Sequence, residues 1–566
     1  MIKFKVNRSV STVLMAVAII FSSVQASAQN IKITGKITDN SNAPLPGVSV
    51  IVDGTKNGVA SDSKGIYSVN APANAKLIFS IIGFEDKKIL VEGRSVIDVT
   101  LMESSIQLGD VVVTALGIKK EKKALGYAVQ DVKGDALIEN RTQNFVTSLS
   151  GKVAGLNISK TAVAGGSNRL TIRGNGSVNE GANQPLIVID GIPYDNSAGV
   201  GATGDVAWGA GYTDYGDGLA MVNADDIESV STLKGPSASA LYGSRGANGV
   251  LLITTKSGKK GDKATITYNT NFSVENVMIQ PEFQNEFGQG TNGAYVATSR
   301  NSWGPAMGTV VTDWTGQTRP LSAKNNNYSD FMNTGTSWTN SFDISQAKDK
   351  MNYRVGFVNT IQSGVIPNND FNNTNVTARI GSEIRPKLTF DAKITYANQK
   401  GKNRPEFSAS GFNPIFPLIY TPRSIDLHEL KTLFTSSGNV TDWYPWSSST
   451  PPLTVVNNPY AIANLTGNTD RTNRVTGFTS LKYEFTPWLN LTGRYGIDTY
   501  DKTMDKWYRH NLVSSSTYVN GRYQLYTQQF CETNADFLLF AHKDNLFNTK
   551  LSAEASLGGN LMHRRW

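Results

Sequence analysis

Beyond residue 261 the chain alternates apolar and polar residues over long stretches, and this repeat restricts it to two-faced β-strands. Leu388, Phe390, Ala392, Ile394 and Tyr396 are apolar, while the intervening Thr389, Asp391, Lys393 and Thr395 are polar or charged. The pattern returns in Leu489, Leu491, Gly493, Tyr495 and Ile497 against Asn490, Thr492, Arg494 and Asp498. It returns again in Leu551, Ala553, Ala555 and Leu557 against Ser552, Glu554 and Ser556. Successive side chains of a strand point to opposite faces, so each segment carries one apolar and one polar face. A soluble antiparallel sheet and a transmembrane barrel with a wet lumen both satisfy this. Connection lengths favour the barrel: tight turns at 348–350, 385–387 and 486–488 alternate with long excursions at 278–337 and 401–471. Outer-membrane barrels have short turns on one side and long loops on the other. Tyr396, Trp488, Tyr495, Tyr500 and Trp507 fall near expected strand ends, where an interfacial aromatic girdle belongs. A soluble β-sandwich stays open on this pattern alone.

The N-terminus predicts export. Lys3, Lys5 and Arg8 form a basic head, Val13 to Phe21 an apolar centre, and Ala26-Ser27-Ala28 a small-residue cleavage site before Gln29. No cysteine sits at that site, so a lipid anchor is not expected. The formal charge of +8 falls to +5 without those three bases. Spread over so long a chain, it makes no nucleic-acid patch. Cys531 is the sole cysteine, which excludes an intrachain disulfide and a cysteine-based zinc site. His428, His510, His542 and His563 are scattered without metal-binding or catalytic spacing. No catalytic residue, metal site or cofactor is expected.

Short alternating runs between Ile31 and Met102, punctuated by Gly, Asn, Asp and Pro, predict a small β-sandwich. Asp110, Val111, Val112, Val113 and Thr114 then form a β-prone run ahead of the charged Lys119 to Lys123. That run reads equally as the sandwich's last strand or as a loose strand offered to a partner's sheet edge. From Leu125 to Ser257 the pattern becomes α/β, a module of about 130 residues, within the range of one domain. The stretch "KGPSASALYGSRGANGV" from Lys234 to Val250 invites comparison with phosphate loops. It fails the test, because Gly243 is followed by Ser244 and Arg245 instead of Lys-Ser/Thr. No Gly-x-Gly-x-x-Gly opens a helix directly after a strand there either. The remaining reading is a short helix from Pro236 to Tyr242, ended by Gly243 and built for close packing.

Together these segments resemble the N-terminal part of a SusC/RagA-type TonB-dependent outer-membrane transporter (TonB-linked outer membrane protein). The motifs that carry the resemblance are "GDVVVTALGI" at Gly109, "SGKVAGLNI" at Ser150, "IRGNGSV" at Ile172, "PLIVIDGIP" at Pro185 and "DDIESVSTLKGPSASALYGSRGANGVLLITTKSG" at Asp225. The resemblance implies a mainly β chain in five parts: a signal peptide (1–28), a carboxypeptidase-regulatory-like β-sandwich (29–105), a TonB box and linker (106–124), an α/β TonB plug (125–260), and the first strands of an antiparallel transmembrane β-barrel (261–566). It makes Asp110, Val111, Val112, Val113 and Thr114 the TonB box, captured as an added strand by the periplasmic domain of TonB in the TonB-ExbB-ExbD system. It places Arg173, Gly174, Asp190, Gly191, Glu228, Lys234, Gly235, Tyr242, Gly243 and Arg245 in plug motifs. It also implies a SusD-like surface lipoprotein, a setting in outer-membrane lipid and a glycan or peptide ligand. Family members close a 22-stranded barrel, roughly the plugged-lumen size class. About nine strands are expected here, too few to enclose a plug, so a fragment is expected.

Import of an oligosaccharide, or of a peptide, is therefore the expected function. A non-transporting adhesin is the alternative, and it needs neither box nor plug. An enzyme is not expected, for want of zinc ligands or a nucleophile with its base. Trp303, Trp314, Trp443 and Trp446 are candidates for stacking on sugar, against the plainer reading that they pack the loops. The acidic "DYGDG" at Asp214 lacks the spacing of a calcium loop and reads as a polar plug loop.

Overall fold

The computed structural model describes residues 30–566 apart from internal stretches, the longest being 103–110, 114–118, 122–128, 198–212, 438–457 and 510–519. The signal peptide, Asp110, Thr114, Trp443 and Trp446 lie outside the described residues, as does part of the helix expected at 236–242.

The first unit is a sandwich of two sheets. Ile66–Pro72, Asn30–Thr38 and Val99–Thr100 make a three-stranded sheet. Gly58–Ala60, Ser49–Val52, Lys76–Ser80 and Lys87–Leu90 make a four-stranded one. Alternate residues of each strand turn inward, so Ile33, Ile37, Val50, Val69, Leu77 and Phe79 form one core. Tyr67 packs edge-on against Phe79 with ring centroids 5.3 Å apart. Its hydroxyl donates to the Ile97 carbonyl at 2.8 Å, so the ring is buried without stranding a polar group. Val111–Val113 belongs to neither sheet and pairs with Lys119–Glu121 in a two-stranded ribbon. The reading of this run as the sandwich's last strand is therefore corrected.

The second unit contains the α/β module and the long strands. A five-stranded sheet runs in the order Val129–Lys133, Ile227–Leu233, Val250–Thr255, Leu186–Ile189 and Ile192–Tyr194. Leu186–Ile189 and Val250–Thr255 pair in parallel, and the other neighbours are antiparallel. Both parallel partners are nearly continuous apolar runs, as strands covered on both faces must be. The helix Gly134–Glu139 and the 3-10 turn Phe145–Leu149 cover one face, burying Leu137, Phe145 and Leu149 against Val230, Leu251 and Ile253.

The remaining strands form a nine-stranded antiparallel sheet in chain order from Thr265–Glu275 to Leu551–Arg565. The shortest has 11 residues and the longest 25, enough to cross a bilayer core, for which about 9–11 tilted residues suffice. Two-residue turns join Lys348 to Met351, Arg385 to Leu388 and Thr486 to Leu489, as the alternation predicts. At the other end the long excursions fold on themselves. Phe331, Leu418, Ile425, Leu427, Leu430 and Tyr460 make a separate loop core there.

This sheet is inverted relative to a soluble one. Ile266, Phe272, Val355, Phe357, Ile380, Ile394, Leu481 and Tyr495 are exposed on the outward face. On the opposite face Arg354, Asn375, Gln399, Asp470, Arg474, Asp498, Lys502 and Glu532 are buried. Water does not stabilise so broad an apolar band, whereas lipid does. One girdle assignment is corrected. Tyr500 shares the parity of Asp498 and Lys502, so it faces inward, is 8% exposed and stacks on Phe530 at 5.0 Å.

Candidate functional site

The sequence motifs of the α/β module converge on the inner face of the long strands. "PLIVIDGIP" is a hairpin with Asp190-Gly191 as its two-residue turn, at φ of 50° and 85°. Both residues are left-handed, which is the type I′ geometry that Asp-Gly favours. The turn aims the Asp190 carboxylate at Thr255, which donates from its backbone N–H (2.9 Å) and its hydroxyl (2.7 Å). Lys393 Nζ lies 3.0 Å away and Arg379 Nη1 3.8 Å. Burial alone would raise this carboxyl, but the two cations and the Thr255 bonds outweigh it and hold it below the usual carboxylate range. The carbonyl of Asp190 accepts from Arg494 Nη1 at 3.1 Å. A Cβ on Gly191 would sit 1.9 Å from that nitrogen. Glycine is what admits the arginine.

"IRGNGSV" ends the strand Asn168–Ile172 in a left-handed turn at Arg173 and Gly174, with φ of 61° and 89°. Lys234 Nζ donates to the Ala154 carbonyl and to Gln130 Oε1 (3.2 Å), tying its strand end to the "SGKVAGLNI" turn. It therefore serves packing, as the failed phosphate-loop pattern implies. Gly235, at φ 76°, leaves room beside Arg173, whose Nη1 would lie 3.1 Å from an added Cβ. Tyr242 packs on the cluster of Val188, Leu233, Ala238, Val250 and Leu252. Gly243 opens the 3-10 turn Gly243–Gly246, which carries Arg245 to Glu532 on the wall at 3.0 Å. Glu228 is exposed on its strand. The carboxylates of "DYGDG" are engaged by protein donors. Asp214 accepts from Thr161, Ser167 and Gly216, and Asp217 from the backbone of Asn168 (2.8 Å) and Ala220 (3.0 Å). Burial pushes the Asp217 carboxyl up to about 7 despite those two donors, with Asp214 beside it adding to the rise.

The wall supplies residues that the motif search did not single out. Arg354 pairs with Asp226 at 2.5 Å. Arg404 pairs with Asp470 at 2.5 Å and donates to the Gly165 carbonyl at 2.9 Å. Arg474 pairs with Asp498 and donates to the Asp195 carbonyl at 2.8 Å. Arg564 reaches Asp195 at 3.0 Å. Inward parity at a charged position was the available signal for the strand residues among them. Removing one partner of a buried pair costs about 3–5 kcal/mol, whereas a neutral hydrogen bond is worth about 1 kcal/mol net. Arg354–Asp226 and Arg564–Asp195 join the α/β module to the wall directly, while the two pairs within the wall present Arg404 and Arg474 to its carbonyls, and together they set where it is held.

Of the tryptophan candidates, Trp314 packs against the loop core, while Trp303 is 62% exposed with its ring 6.0 Å from Phe287. The structure does not bring them together with the motifs above.

Comparison with known proteins agrees with this architecture. Residues 33–113 match the CarboxypepD_reg-like domain, and residues 121–250 match the TonB-dependent Receptor Plug Domain. TonB-dependent receptor SusC of Bacteroides thetaiotaomicron is 32% identical over 406 residues, 71% of this chain and 37% of that protein. These matches support a SusC/RagA-type TonB-dependent receptor. TonB-dependent receptor P39 of Formosa agariphila is 29% identical over 412 residues, 71% of this chain and 36% of that relative. The chain thus spans little more than a third of the length of these relatives. Among solved structures, the RagAB peptide importer in its open-open state superposes with a TM-score of 0.56 at 18% identity, over 80% of this chain and 49% of that one. That likeness is one of fold. Receptors of this family are outer-membrane proteins, and the outward apolar band of the long strands suits that setting. The α/β module is the plug and the nine-stranded sheet is its wall.

Proposed function

We propose that this protein takes part in TonB-energised import of a nutrient across the outer membrane, an oligosaccharide in preference to a peptide. The observation that carries the reading is the plug, clamped through Asp226 and Asp190 by buried ion pairs to the polar face of strands whose other face is apolar. The proposed organisation is a signal peptide (1–28), sandwich (29–105), TonB box and linker (106–124), plug (125–260) and barrel strands (261–566). The box is Asp110 to Thr114, and its central Val111–Val113 already has extended backbone. TonB would take it as an added strand and pull on the plug. A SusD-like lipoprotein is the proposed outer partner, in keeping with the SusC relative, and the RagAB likeness keeps peptide as the second ligand class. Trp303 and Trp314 stand as proposed ligand contacts with Trp443 and Trp446, although Trp314's packing favours a structural role for it.

The test is Val112→Pro. Proline cannot donate to an added ladder, so energised uptake is expected to be lost while ligand binding at the cell surface is retained. Uptake at the parental rate would remove the box assignment. A surface adhesin would show binding that neither this change nor collapse of the proton gradient affects.

A further inference from the structure

The plug meets its wall in two chemically different arcs. Along Leu388–Lys402, Thr466–Thr486 and Leu489–Tyr508 the inward residues include the charged and paired Lys393, Asp470, Arg474 and Asp498, set among neutral residues such as Gln399 and Thr472. Toward the long-loop end of Thr265–Glu275, Gly335–Lys348, Met351–Ser363 and Asp370–Arg385, the inward residues include Asn271, Ser337, Thr339, Thr360, Asn373 and Asn375. These six line a cavity of about 50 Å³ between plug and wall, and among the described residues no charged side chain contributes to it. A single water needs roughly 10–15 Å³ on this measure, so several fit.

Buried polar atoms without a partner among the described residues occur on both arcs, Gln399 Oε1 and Thr472 Oγ1 on the charged one, but around this cavity they face one another across open space. Asn373 and Asn375 are 6% and 3% exposed, yet among the described residues the Oδ1 of each has no hydrogen-bond partner, nor has Asn223 Nδ2 on the plug side of the cavity. Toward the long-loop end the plug meets these strands through neutral bonds, Asn373 Nδ2 to the Ala220 carbonyl at 3.1 Å and the Gly165 N–H to Gln362 at 3.1 Å, while the charged contacts of the same strands, Arg354 with Asp226 and Arg379 with Asp190, lie nearer the tight-turn end. The neutral bonds exchange readily with water or with a solute's hydroxyl and amide groups. The buried ion pairs of the other arc do not.

We propose that the solute path opens along this neutral seam, between the plug and the wall at Asn271, Ser337, Thr339, Thr360, Asn373 and Asn375, and that it passes uncharged solutes rich in hydroxyl or amide groups. The proposal rests on the transporter reading above. Under it the plug pivots on its charged side when pulled, and the amides left unpaired in the closed state become the first partners of the entering solute.

The test uses the intact protein in its native outer membrane, with the native thiol removed by Cys531→Ser. A single cysteine is placed on the neutral seam by Asn373→Cys or, as a second position, Thr339→Cys, and on the charged arc by Thr472→Cys. Reaction from outside is timed with methanethiosulfonates bearing glucose, acetamide or sulfonate groups, in energised cells and after collapse of the proton gradient. Energisation is expected to speed reaction at Asn373→Cys and Thr339→Cys several-fold and to leave Thr472→Cys unchanged, with both neutral reagents outpacing the sulfonate. Glucose ahead of acetamide would assign sugars, and the reverse order amide-bearing peptides. Equal acceleration at Thr472→Cys, or sulfonate reacting fastest at the seam, overturns the proposal while leaving the transporter reading intact. No response at any of the three positions removes the transporter reading and the seam with it.

Discussion

Arg474 and Asp498 stand side by side on neighbouring wall strands, joined by two hydrogen bonds of 2.8 and 2.6 Å, and together they hold both backbone groups of one plug residue. Arg474 donates to the Asp195 carbonyl and Asp498 accepts the Asp195 N–H, each at 2.8 Å. The guanidinium also lies 3.5 Å from the centroid of the Tyr194 ring. Plug position is thus set by main-chain atoms gripped in a buried ion pair.

Asp498→Ala leaves Arg474 buried without its carboxylate, and a loss of about 3–5 kcal/mol is expected. The double change Arg474→Met with Asp498→Leu is expected to recover most of it, because an apolar pair of similar volume carries no uncompensated charge. Urea midpoints of the purified protein in detergent measure both. A single variant within about 0.5 kcal/mol of the parent would show that the clamp contributes nothing.

Gly191 and Gly243 both have left-handed backbones, with φ of 85° and 64°, but different surroundings. Among the described residues nothing lies within 4 Å of a Cβ at Gly243, so Gly243→Ala is expected to cost only the backbone penalty, about 1–2 kcal/mol. Gly191→Ala places a methyl group on Arg494, which also pairs with Asp536 at 3.0 Å. Its loss is expected to be clearly larger and to be accompanied by faster protease cleavage of the plug. Equal losses would mean that the arginine shifts aside without consequence.

The face each long strand presents was legible from residue parity, because alternation is a local property: Ile394 outward and Lys393 inward follow from their neighbours alone. Tyr500 shows how this goes wrong when residue class is weighed above parity, since aromatics suit a girdle but an even position beside Asp498 and Lys502 does not. The clamps were not legible. Arg404 and Gly165 are 239 residues apart and Arg474 and Asp195 are 279 apart, and no local pattern pairs them. Val129–Lys133 escaped for a different reason: its only two apolar residues, Val129 and Val132, have opposite parity and pack into separate clusters, so neither face shows an alternating pattern.

Asp217 predicts a pH dependence of the plug. Its folded carboxyl titrates at about 7, against about 3.9 when unfolded. Between those values the native plug keeps a proton that the unfolded chain has released, so this group's contribution is complete below about pH 4 and is lost as pH rises through about 7. Asp190, held low, works in the opposite sense, and its contribution is lost as pH falls below the usual carboxylate range. Asp217→Asn is therefore expected to flatten the fall in urea midpoint between about pH 5 and pH 8 and to exceed the parent at the higher value. An unchanged slope would show that Asp217 is ionised throughout.

Ile394 offers the sharpest test of the membrane assignment. It lies near the middle of Leu388–Lys402, pairs across to Ala378 and Gly477, and is 55% exposed. On a soluble sheet so exposed a residue would accept arginine with a change within about 0.5 kcal/mol. At the midplane of a bilayer the same change costs about 2–4 kcal/mol, because the guanidinium must leave water or drag it inward. Ile394→Arg is expected to lower stability by that larger amount for protein folded into phospholipid vesicles, with Ile394→Leu close to neutral as the control for packing. Arginine tolerated there as well as leucine would mean that the apolar band faces something other than lipid, and the outer-membrane placement would fall with it.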